Sequence, residues 1–144
     1  MISAMCVRRL HAVIGLVLAA TSATAAADTG PVAELGRAIF QGKFEVAAHL
    51  RGDARPLPAI ATRCASCHTP SSGATAFAPQ LTAGYLLEAI PRRGGPPTRY
   101  DRDAFCRVLA TNIDPATVML EKSMPQYVLS DDECTALWTF LLTQ

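Results

Sequence analysis

Apolar positions recur at helical spacing in four stretches of the chain, and segments rich in Gly and Pro separate them. In "PVAELGRAIFQG", Leu35, Ile39 and Phe40 fall on one helical face, and Gly42 is placed to stop the helix. "AGYLLEAI", residues 83–90, reads as a short helix that ends before Pro91. Asp101 is placed to cap a third helix, "RDAFCRVLATN", whose Phe105, Val108 and Leu109 share a face and which Asp114-Pro115 closes. The last is the clearest: Ser130 and Glu133 form an S-x-x-E capping box. Behind it Cys134, Leu137, Trp138 and Leu141 follow at i, i+3, i+4 and i+7, predicting an amphipathic helix that runs to the end.

The intervening segments carry little strand signal. Residues 43–63, with Gly52, Pro56 and Pro58, read as an irregular connection containing one short extended or helical piece. "TPSSGATAFAPQL" is loop by composition, and "PRRGGPPTRY", residues 91–100, is a firm break. Short helices joined by long loops predict a small all-α domain whose centre is filled by a large ligand rather than by side chains alone.

Residues 1–27 follow a different pattern. Arg8 and Arg9 precede an uncharged apolar run from Ala12 to Ala20, and small residues end in Ala25-Ala26-Ala27. A basic flank, a short apolar core and an A-x-A-like end read as a secretory signal peptide cleaved after Ala27. The core is short of the roughly 20 apolar residues that span a bilayer, although the alanines that follow keep a retained anchor as the alternative. The expected organisation is therefore a signal at 1–27, one domain at 28–144 and a periplasmic location, with no stable membrane insertion once the signal is removed. The full chain has 13 Lys and Arg against 12 Asp and Glu; without Arg8 and Arg9 the balance is 11 to 12. That near-neutrality gives no electrostatic case for a nucleic-acid partner. Export places the remaining cysteines in an oxidising compartment.

"RCASCH" puts Cys64, Cys67 and His68 within five positions. Zinc would call for a second cysteine pair, and Cys106 and Cys134 lie too far apart in sequence to form one. A dithiol redox motif belongs in a strand–helix context, whereas a Pro-rich connection precedes this one. Covalent haem c uses all three residues: two thiols add to the two vinyl groups, and the neighbouring imidazole faces the iron. Composition alone yields C-x-x-C-H roughly 0.004 times in a chain of this size. One such motif implies one haem. For the opposite face of the iron the candidates are His49, Met119 and Met124. Met124 is favoured, because Pro125 stiffens its loop just ahead of the last helix, while Met119 reads as a packing residue.

The order of "CASCH", "APQLTAGYL" and "SMPQYVLSDDECTALWTFL" resembles the class I cytochrome c family over most of residues 28–144. The resemblance implies a cytochrome c-like helical domain wrapped around one haem, with Cys64 and Cys67 as its covalent anchors and His68 and Met124 as axial ligands. It also implies that the backbone carbonyl of Pro79 receives the ring N–H of His68, and that the first and last helices cross where Gly36 and Phe40 meet Leu137, Phe140 or Leu141. Two segments depart from the family: residues 43–60 look like an insertion between the first helix and the haem motif, and residues 90–106 match no family pattern. In the latter, Arg92 and Arg93 are candidates for the haem propionates, with a solvated loop as the alternative. Cys106 and Cys134 are candidates for a disulfide, with two buried thiols as the alternative. The function expected is single-electron transfer between redox proteins, a dehydrogenase or an oxidase, with no catalysis and no small-molecule substrate. A haem subunit bound permanently to a dehydrogenase is the alternative, and a haem sensor or peroxidase-like protein with an open iron a third.

Overall fold

The computed structural model describes residues 30–70 and 77–144. The signal expected at residues 1–27 lies outside them. Helix α1 (Pro31–Phe40) begins with proline at its first turn, where the missing N–H is no loss. Gly42, at φ 69°, turns the chain out of it as Lys43 N–H donates to the Ala38 carbonyl. Two strands follow, β1 (Ala47–Leu50) and β2 (Asp53–Pro56), and then two single-turn helices, α2 (Ala59–Thr62) and α3 (Ala65–His68). Helix α4 (Ala83–Leu87) leads into β3 (Ile90–Pro91) and β4 (Pro97–Thr98). Helix α5 (Arg102–Thr111) is capped by the Asp101 carboxylate on the Ala104 N–H. Strand β5 (Gln126–Val128) and helix α6 (Asp131–Leu141) complete the chain, and the Ser130–Glu133 capping box forms in both directions.

The all-α expectation is overturned. Among the described residues there are two small antiparallel sheets, and only α1, α5 and α6 reach ten residues. One sheet has the order β2-β1-β5 and the other pairs β3 with β4. Residues 47–56, expected to be irregular, form a hairpin turned by Arg51-Gly52, with Gly52 at φ 79°. Its inner strand pairs with β5, Ala48 opposite Tyr127 and His49 opposite Gln126. Strands this short show no readable alternation, and the partner of β1 lies at the far end of the chain. Helix α4 also stops three residues early, because Ile90 and Pro91 join the second sheet.

Helices α1 and α6 cross at Gly36. A Cβ there would collide with the Ala136 backbone carbonyl and come within 2.8 Å of the Phe140 Cβ, so only glycine permits the approach. Phe40 stacks tilted on Phe140 at 5.6 Å, and Ile39 and Leu141 are each 1% exposed. The buried faces of α5 and α6, with Leu86, Ala48 and Tyr127, extend this core to Cys64. No described helix is long and apolar enough to cross a membrane.

Candidate functional site

The core stops short of closing on itself. A cavity of about 310 Å³, in the size range of cofactor pockets, is lined by Cys64, Cys67, His68, Pro79, Met124 and Tyr127 among others, and its walls are mostly apolar. A smaller one of about 60 Å³ shares His68, Pro79, Arg93, Leu120 and Met124 with it.

One wall is the C-x-x-C-H segment. Helix α3 holds Cys64 at its N-cap and His68 in its last turn, with the His68 N–H donating to the Cys64 carbonyl at 3.0 Å. Cys64 is buried, Cys67 half-buried, and neither is in a disulfide. Burial pushes the Cys64 thiol up to about 11. It therefore stays protonated near neutrality, unlike the low-pKa thiolate of a dithiol redox centre. The His68 ring sits with Nδ1 2.6 Å from the Pro79 carbonyl, so an N–H there donates to it. The other nitrogen, Nε2, is buried without a hydrogen-bond partner. Burial holds the imidazole below its ordinary value, against the opposing hydrogen bond to Pro79.

The other wall is the 120–125 segment. Of the candidates facing the C-x-x-C-H wall, the cavity lining includes Met124 alone. Met119 is 56% exposed in a bridge with Ile113, and His49 lies on β1 with Nδ1 at the Leu50 carbonyl. Two contacts from the hairpin bracket the segment: Arg51 donates to the Leu120 carbonyl at 3.0 Å, and β1 pairs with β5 just after Pro125.

The two adjacent arginines part company. Arg92, 4% exposed, donates to the carbonyls of Tyr85, Glu88, Ile90 and Thr98 and stacks over the rings of Tyr85 and Tyr100. It is absent from the lining of both cavities. The expectation that it meets a propionate is corrected on that ground: its guanidinium is already committed to backbone oxygens and two rings. Arg93, turned by a positive φ of 47°, lines both cavities and pairs with the fully buried Asp114 carboxylate at 2.9 Å. Cys106 and Cys134 stand at disulfide distance, their Cα atoms 6.0 Å apart. They join α5 to α6 and so cannot supply a second thiolate pair for zinc at Cys64 and Cys67.

The sequence reading missed Tyr127 and Asn112. Tyr127 donates to the Thr62 carbonyl at 2.9 Å, and burial, together with the nearby Cys64 thiol, raises its hydroxyl well above the ordinary value. Asn112 donates to the carbonyls of Met124 and Pro125. The helix-ending asparagine was the visible signal for Asn112; its reach to Met124 was not. No protein-family model, curated protein or solved structure matches this chain.

The residues fit a haem c on three counts. Two thiols and an imidazole line one side of an apolar cavity, the imidazole nitrogen not bonded to Pro79 is buried and unpartnered, and a thioether lines the same space.

Proposed function

We propose that the chain is a mono-haem c-type cytochrome, exported to the periplasm, that carries single electrons between redox proteins. The observation that carries this reading is His68: one ring nitrogen anchored on Pro79, the other buried and unpartnered in the wall of a cavity that Met124 also lines. Cys64 and Cys67 would hold the haem as thioethers, and His68 and Met124 would be the axial ligands. Haem c, when bound, would supply one-electron ferrous/ferric chemistry, with a reduced donor protein and an oxidised acceptor protein as its partners. The chain's own residues supply the rest. Pro79 fixes the His68 ring and strengthens its donor nitrogen. Leu120, Ala78 and Pro125 help keep the cavity walls apolar, which disfavours water and substrate alike. Arg93, held by Asp114, is a cationic group in that wall suited to a carboxylate.

A second reading, a haem subunit bound permanently to a dehydrogenase, draws on one feature. Phe77 at the cavity is 77% exposed, and Ile60, next to cavity-lining Ala61, is 63% exposed. Large apolar side chains left open beside a site are those a partner would cover.

The test is expression with export in a host that attaches haem c. The purified protein should carry one haem that survives denaturation, and Cys64→Ala with Cys67→Ala should abolish it. A haem-free wild type, alongside a control cytochrome matured in the same cells, would refute the proposal. Uptake of carbon monoxide by the native reduced protein would turn the reading from carrier to open iron. Elution of the native protein in a larger complex would favour the subunit reading.

A further inference from the structure

Asn112 is fully buried, 0% exposed, at the point where α5 ends. Its backbone is left-handed, φ 58°, a conformation that asparagine tolerates and glycine adopts more easily. Its N–H donates to the Val108 carbonyl at 2.8 Å, and its carbonyl accepts the Leu120 N–H at 2.8 Å. The main chain of Asn112 therefore ties the end of α5 to the start of the 120–125 segment. The side chain goes further along the same segment. Its amide nitrogen donates to the Met124 carbonyl and the Pro125 carbonyl, each at 3.2 Å. The side-chain oxygen is buried without a partner. A buried acceptor left unmade is destabilising, and a glycine here would remove both it and the left-handed strain. Helix capping therefore favours glycine, whereas the space that the buried side chain fills and its two bonds to Met124 and Pro125 favour asparagine.

We infer that Asn112 is the positioning residue for Met124: it holds the Met124-Pro125 backbone at a fixed distance from the wall that carries His68. This rests on the haem reading, in which Met124 is an axial ligand. A thioether is a weak ligand, so its bond to iron survives only while the loop presents it in place. Asn112 touches no reacting atom; it acts through the main chain of its neighbour across the turn.

The test uses the full-chain haem protein and two variants, Asn112→Gly and Asn112→Asp. Both remove the amide donors; the first also relieves the backbone, and the second keeps the size and adds a charge facing two carbonyls. Both should retain covalent haem and helical circular dichroism. Both should lose most of the weak red-edge absorption of the Met–Fe(III) bond, and the reduced forms should take up carbon monoxide that the wild type excludes. A merely structural capping role would leave those two signals in place, and either folded variant that keeps both overturns the inference. Should neither variant fold, side-chain amide exchange in the wild type decides. The Asn112 protons should exchange at least about tenfold more slowly than those of the exposed Gln80, and equal rates overturn the inference. A wild type without the red-edge band would overturn Met124 ligation itself, and the Asn112 contact would then be read by amide exchange alone.

Discussion

Arg92 and Arg93 show what one residue's surroundings decide. They are neighbours of the same type, yet one is sealed among carbonyls and rings while the other faces the cavity and a carboxylate. The backbone differs between them as well, since Arg93 takes a positive φ of 47° and Arg92 does not. Replacing Arg92 by lysine keeps the charge but removes the planar fork that reaches four carbonyls at once. Arg92→Lys should therefore lower stability by about 2 kcal/mol, read from the urea midpoint. An unchanged midpoint would mean that the carbonyl cage contributes nothing. By contrast, Cys64, Cys67, His68 and Met124 were legible in the sequence. Side-chain chemistry at fixed spacing and one proline single them out without knowledge of the fold, and the structure brings all four to one cavity.

The long helices were legible at the scale of elements because their signals are local. The Asp101 cap, the Ser130–Glu133 box and the apolar stripe of α6 each lie within a few residues of the structure they specify. The hairpin of β1 and β2 was not, since each strand has four residues and β1 takes its second partner from the other end of the chain. The hairpin, within the stretch expected to be an insertion, contacts the chain on both sides of Met124: Arg51 donates to the Leu120 carbonyl and β1 pairs with residues 126–128. Ala48 is 2% exposed at the centre of that sheet, opposite Tyr127. Ala48→Asp would bury an unpaired carboxylate there and should separate β1 from β5. The expected result is a marked fall in melting temperature together with, under the proposed haem ligation, weakening of the Met–Fe(III) absorption. A fall in melting temperature alone would show that the pairing is structural and does not reach Met124.

Over the whole molecule, three links tie distant segments together: the α1–α6 crossing at Gly36, the β1–β5 pairing, and the Cys106–Cys134 bridge. The bridge closes a loop of 28 residues, and restricting the unfolded chain by that much stabilises by about 3–4 kcal/mol in the chain-entropy picture. Replacing both cysteines by alanine should lower the urea midpoint accordingly, and thiol titration of the denatured, unreduced wild type should find neither Cys106 nor Cys134 free. Two reactive thiols from that pair would count against the bridge. For a domain this small, such cross-links replace part of the apolar core it lacks. The sequence alone determined the C-x-x-C-H and Met-Pro motifs and the capped helices, because each is written in contiguous residues. Only the tertiary structure decided that the fold is mixed, that Arg93 rather than Arg92 meets the cavity, and that Asn112 grips the Met124 loop. Those depend on backbone direction and on pairings between distant segments, which no local pattern of hydrophobic and polar residues records.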